Sequence, residues 1–239
     1  MVKSLYTHNK QIKTIFLEFT NNEIISDMEK WTKSEEQIVY RIPKYAPIMD
    51  EEDYRYIVPK NAFAFIKSMP IVFRNNINTI IFKYDDFVST NDWGKYYYNK
   101  RQHLDSLLKV KKPKIIKNDF SKFNGVNLFY LDKILKYCKT NGVKIYLIRS
   151  PFHKLEPVYI ANENKFAEIL KTKYIKQTFL DFKDFPLLND EYRDLDHLNY
   201  KGARKFSIFF NDLLKNGLLE KTNKQQFINQ EMKKIKLND

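Results

Sequence analysis

Three short apolar runs, each bounded by turn-forming residues, constrain the fold of this chain more than any other feature. Thr14-Ile15-Phe16-Leu17-Glu18-Phe19 ends in Thr20-Asn21-Asn22, and Val143-Lys144-Ile145-Tyr146-Leu147-Ile148 ends in Arg149-Ser150-Pro151. Thr178-Phe179-Leu180-Asp181-Phe182 is the third. Runs this short and this apolar are what strands of a buried parallel sheet require. Amphipathic stretches at 127–139, 162–173 and 200–215 separate or follow them. Asn141-Gly142 stops the first stretch directly before the second run, and Asn216-Gly217 stops the last. The alternation predicts an α/β domain with a parallel sheet, and such sheets bind ligands beyond the carboxyl ends of their strands.

Residues from about 31 to 122 interrupt this pattern. They hold Tyr40-Arg41-Ile42-Pro43-Lys44-Tyr45-Ala46-Pro47, a helical stretch from Asn61 to Phe82 expected to break near Pro70, and Asp92-Trp93-Gly94-Lys95-Tyr96-Tyr97-Tyr98. The expectation is an insertion capping the sheet, with aromatics that either pack a core or stack on sugar rings. After Gly217 the chain is polar and lysine-rich, with Phe227, Ile228, Met232 and Ile235 at loose helical spacing. One α/β domain over 1–217 and a polar basic tail over 218–239, forming a peripheral helix or a frayed end, are therefore expected.

With 43% hydrophobic residues among 239, a sizeable core is possible and disorder over most of the length is excluded. The net charge of +13 favours polyanionic partners. Its densest cluster, Lys109, Lys111, Lys112, Lys114 and Lys117, is either a docking patch or a solvated loop. No nucleic-acid motif accompanies it, so nucleic acid is not the expected partner. Cys138 is the only cysteine, which excludes an intrachain disulfide, and its place in a helical apolar stripe marks it as core. His8, His103, His153 and His197 lack metal-ligand spacing, and no glycine-rich phosphate loop occurs, so neither metal nor cofactor is expected. No apolar run reaches the ~18–20 residues of a membrane span. The segment Met1-Val2-Lys3-Ser4-Leu5-Tyr6 has no secretory character, and a cytoplasmic chain is expected as written.

Chemistry concentrates in Asp194-Leu195-Asp196-His197-Leu198-Asn199-Tyr200-Lys201-Gly202-Ala203. A hydrolytic base needs an imidazole that accepts a proton and a carboxylate that fixes its tautomer. A loop entering a helix can supply both: His197 as base and Asp194 as orienting group, with Asp196 as second choice. Asn199 and Gly202 would shape the turn into the helix. The plain alternative is a capped helix start with an incidental histidine.

This string, Asp-x-x-His followed by Leu-Asn-x-x-Gly-Ala, resembles the last conserved block of the SGNH (GDSL-like) hydrolases, including the branch acting on acyl groups of cell-surface polysaccharides. The resemblance implies His197 as general base and Asp194 as its partner. A second block is similar: Ile15-Phe16-Leu17-Glu18-Phe19-Thr20-Asn21-Asn22 stands where the family has a strand ending in Gly-x-Asn-Asp. Asn21 would then donate to the oxyanion, although Phe19 replaces the family's Gly and Asn22 its Asp. The family's Gly-Asp-Ser-type motif and its second block lie upstream of both, and this sequence has no place for them. The resemblance runs from Met1 to about Gly217, without the family's opening and with a long insertion. It implies a flavodoxin-like three-layer α/β/α sheet lacking its first strands, and an ester hydrolase or acyltransferase lineage whose substrate is an acylated carbohydrate. Without the serine the chain is expected to be inactive. Ser150 does not stand in a nucleophile turn, so Ser150, His153 and Asn199 are expected to contact substrate instead. The competing expectation is a non-catalytic module for an acidic glycan or an anionic membrane surface, resting on the charge, the lysine cluster and the aromatics at 93–98.

Overall fold

The computed structural model describes residues 9–24, 34–46, 49–82, 104–109 and 126–235. In chain order the described elements are β1 (Thr14–Glu18), α1 (Glu35–Tyr45), α2 (Glu51–Ile57), α3 (Ala62–Phe82), α4 (Leu104–Lys109) and α5 (Val126–Thr140). They continue with β2 (Lys144–Arg149), α6 (Pro157–Thr172), β3 (Thr178–Asp181), α7 (Tyr200–Lys215) and α8 (Lys224–Met232). The chain divides into two compact units. One takes residues 1–10 and 25–95, the other 11–24 and 96–239.

The second unit is built on a parallel sheet in the order β1-β2-β3. Alternation along the strands sends side chains to two cores. Leu17, Leu147 and Phe179 join Phe19, Leu128 and Leu131 of α5, and Phe166 and Ile169 of α6. Phe16, Tyr146, Ile148 and Leu180 face Phe206, Phe210 and Leu213 of α7 and Ile228 and Met232 of α8. Fully burying side chains of this size contributes about 1.5–3 kcal/mol each. Gly142, at φ +66°, makes the left-handed turn that feeds β2.

Of the two expectations for the segment after Gly217, the helix holds, as α8, and the frayed end does not. Leu218 and Ile228 are fully buried in the second core. Gln225 of α8 pairs with the outer edge of β3, accepting the Asp181 N–H at 2.8 Å and donating to the Asp181 carbonyl at 2.9 Å. The apolar residues of this segment, which read as loosely spaced, close the sheet's second face.

In the other unit, α1 packs on α3 around Ile38, Ile42, Ala64 and Val72. Neither Pro43 nor Pro70 breaks its helix. Pro70 lies on the exposed side of α3, as does Ile66, whose carbonyl lacks the amide that another residue at 70 would offer it. The packed face is undisturbed, so the break expected near Pro70 does not occur. Among the described residues, no helix is long and apolar enough to cross a membrane. The aromatics at 93–98 and Lys111, Lys112, Lys114 and Lys117 lie outside the described residues.

Candidate active site

The segment between β3 and α7 is held by local bonds that explain its sequence. Tyr192 and Leu198 form an antiparallel bridge, and the Arg193 N–H donates to the His197 carbonyl at 2.9 Å. Asp194 Oδ1 accepts the backbone N–H of Asp196 at 3.0 Å and of His197 at 2.8 Å, and lies 2.9 Å from His197 Nδ1. A carboxylate so placed holds a proton on Nδ1 and makes Nε2 the basic nitrogen. His197 is 53% exposed in its side chain, Asp194 24%. Asp196 turns the other way, toward Asn22 Nδ2 at 3.5 Å, which ties this loop to the end of β1.

Asn199 is a buried cap and does not present its amide to a substrate. Its Oδ1 accepts the N–H groups of Lys201 and Gly202, at 2.9 and 3.2 Å, while Nδ2 donates to the carbonyls of Asp190 and Tyr192. With every amide position engaged, it joins the start of α7 to the loop before it. Gly202 is required by close approach, since a Cβ there would stand 2.3 Å from the Glu191 carbonyl oxygen.

The end of β1 carries a second polar group. The Glu18 carboxylate accepts the Ser150 hydroxyl at 2.6 Å and its N–H at 2.9 Å. Glu23 folds back on Thr20, accepting its N–H at 2.8 Å and its hydroxyl at 2.6 Å. Surrounding protein pushes both carboxyls up from the ordinary range; the Ser150 and Thr20 bonds oppose this, and the nearby charge of Asp196 adds to it. For Glu18 burial of the carboxyl among surrounding protein is the larger cause, and the charges of Glu23 and Asp196 are the smaller one. Ser150 is thus tethered at the sheet's carboxyl end by an acidic partner. Nothing in the sequence reading singled out Glu18, which looked like the last residue of a strand.

Asn21 does not offer an oxyanion donor at the surface. It is fully buried, with Nδ2 donating to Glu163 at 3.0 Å and Oδ1 accepting from Arg149 at 2.9 Å. Arg149, expected as a turn residue, is the last residue of β2 and only 2% exposed. It forks onto Glu163 at 2.7 and 3.1 Å and onto Asp181, its register neighbour on β3, at 2.9 Å through Nε and again through a guanidinium nitrogen. Burial disfavours the guanidinium charge, but bonds to Asp181 and Glu163 outweigh it and keep Arg149 charged. Burial likewise raises Glu163, yet bonds from Arg149 and Asn21 and the charge of Lys183 bring it down to about 2. A guanidinium opposite an aspartate on the next strand was the available signal for this cluster.

His153 sits in the wall of a cleft beyond β2 and β3. It is buried, edge-on to Tyr192, with Nε2 3.2 Å from Asn189 Oδ1 and Nδ1 accepting the Leu155 N–H at 3.2 Å. That pattern calls for the neutral Nε2–H form, and burial lowers its pKa. A cleft of about 470 Å³ opens between the segments that follow β2 and β3, lined in part by Phe152, Lys154, Lys183 and Tyr192. Cys138 is buried in α5, and burial pushes its thiol up. Among the described residues no group of three or more acidic, cysteine or histidine side chains is arranged to hold a metal.

Comparison with known proteins returns no significant match among curated proteins or among solved structures. A family model matches residues 83–219, a span that takes in β2, β3 and the whole 194–203 string. That span is more than half of the chain, which therefore belongs to the family this model defines, and the match attaches no activity to it.

Proposed function

We propose that this chain carries the acid–base half of an SGNH-type ester hydrolase or O-acyltransferase acting on acylated carbohydrate, and that residues 1–239 alone do not complete the reaction. One observation carries the reading: the His197 imidazole rests on Asp194 in an exposed loop tied through Asn22 and Asp196 to the carboxyl end of β1. The two cores fed by opposite strand faces suit a three-layer arrangement, and the Asn199 and Gly202 contacts account for the Leu-Asn-x-x-Gly-Ala string. In an intact site a serine attacks the acyl carbonyl, Nε2 of His197 takes its proton, and the same nitrogen returns a proton to the leaving alcohol. Removing a serine nucleophile typically costs on the order of 10⁶ in turnover. With p-nitrophenyl acetate we expect background hydrolysis, unchanged by His197→Ala. Robust turnover abolished by His197→Ala would instead show that this chain has its own nucleophile, with Ser150→Ala the first variant to examine. NMR titration of the histidine side chains with an O-acetylated oligosaccharide tests the substrate class. Selective movement of His197 signals supports it, and none at millimolar ligand removes it.

The net charge of +13 favours one other reading, a binding module for an acidic glycan. Salt-dependent retention on heparin over a neutral matrix is its expected signature; equal weak retention on both removes it.

A further inference from the structure

The helix α3 shows two unlike faces. Ala64, Ser68 and Val72 are buried on the side that meets α1. Phe63, Ile66, Phe73, Ile77 and Ile80 fall on another side at spacings of three, seven, four and three, and each is 50–77% exposed. The seven-residue step holds Pro70, which is also exposed and completes the stripe. At 1.5 Å per residue, the stripe is about 25 Å long. Monomeric proteins rarely leave so continuous an apolar face uncovered.

We propose that this face of α3 docks on an anionic lipid surface, with the helix lying in the plane of the membrane interface. The charges on the helix favour that occupant. Between Ala62 and Phe82 there is no acidic residue, and the two cations, Lys67 and Arg74, are seven residues apart and so share the border of the apolar stripe. Among the described residues of this unit, the acidic ones stand at the starts of α1 and α2, and of these Glu35 reaches across to Lys67. Cations bordering an apolar stripe extend their ends to lipid phosphates while their stems stay with the acyl boundary. A second copy of the helix suits the face less well. It would set Lys67 and Arg74 beside like charges with no acid on either helix, and Pro70 would sit in the seam. Ile80, Ile81 and Phe82 are consecutive and all exposed. At 100° per residue they spread over more of the helix than a two-helix seam covers, and a lipid surface has no such limit.

The test is co-sedimentation of the full chain with vesicles of phosphatidylcholine alone and of phosphatidylcholine containing about one third phosphatidylglycerol. Binding at least about tenfold stronger on the anionic vesicles is expected, weakening with added salt. Phe73→Ser combined with Ile77→Ser is expected to lower it at least about tenfold. Both side chains are exposed, so far-UV circular dichroism should not change. Lys67→Gln with Arg74→Gln should remove most of the preference for anionic lipid. Ile77→Cys labelled with a polarity-sensitive fluorophore should shift to the blue on the anionic vesicles, because Cys138 is buried and leaves the new thiol as the labelling site. Equal binding to both vesicles, indifference to the Phe73 and Ile77 substitutions, or a lipid-free dimer that those substitutions dissociate would each overturn the proposal.

Discussion

Arg149 sets the chemistry of the sheet's carboxyl end at the scale of single residues. Replacing it with Met leaves Asp181 and Glu163 facing each other beside a buried Asn21, and a loss of about 3 kcal/mol is expected from urea unfolding. The two carboxylates keep some solvent, which holds the figure at the lower end for broken buried pairs. Acid should weaken the fold in two stages. His153 titrates below its ordinary value of 6.5, so the folded form binds a proton less readily than the unfolded one. Its contribution is complete above 6.5 and lost as pH falls below it. Glu163 is held near 2 against 4.5 unfolded, so its contribution is present above 4.5 and disappears between there and about 2. Denaturation across this range should show both declines, and Glu163→Gln should flatten the lower one; a single unbroken decline in that variant would contradict the assignment. Gly202→Ala and Gly142→Ala separate two reasons for glycine. The first forces a methyl into the Glu191 carbonyl and should cost about 2–3 kcal/mol; the second meets open space and should cost about 1 kcal/mol, for its positive φ alone. Residue types alone do not reveal such roles. Asn21, His153 and Asn199 are polar residues at the ends of apolar runs, and that position suits a substrate contact as well as a buried clamp. The Asp194–His197 pair was legible because both partners lie in one short string. Glu18 and Ser150 were not, because 132 residues separate them and only strand register brings them together.

At the scale of elements, the strands and the helices that flank them could be read to within a few residues from apolar runs and stop signals. Two elements could not. Pro70 should end a helix judged by local preference, since proline costs about 3 kcal/mol in a helix interior, but packing against α1 and an outward-facing ring carry α3 through it. Beyond Gly217 a peripheral helix or a frayed end was expected; the helix forms, and its depth was hidden because few of its residues are apolar, yet those few land in the core. Deleting 218–239 should therefore abolish cooperative thermal unfolding of the sheet unit; a deletion protein with an unchanged transition would return the segment to the status of a tail. Gln225→Ala removes two bonds to β3 and should destabilise by about 1–2 kcal/mol while leaving far-UV circular dichroism intact.

At the scale of the whole molecule, the chain falls into two compact units. Residues 25–95 belong with the first ten, and 96–239 with the first strand. Replacing 25–95 by a short Gly/Ser linker should leave the remainder cooperatively folded, as circular dichroism and urea unfolding would report. Loss of the transition would mean that the sheet unit depends on the helical one. The charge pattern was legible as a total and not as a map, since net charge says nothing of which surface bears it.

Gln225 also has a consequence for the way this sheet could grow. By imitating a main-chain amide it occupies the flank of β3 at the end where a newcomer would align with the site, as an edge is blunted against unwanted pairing. A newcomer strand arriving there meets main-chain groups of Asp181 that already have partners, so β3 is guarded at its carboxyl end against lengthening the sheet.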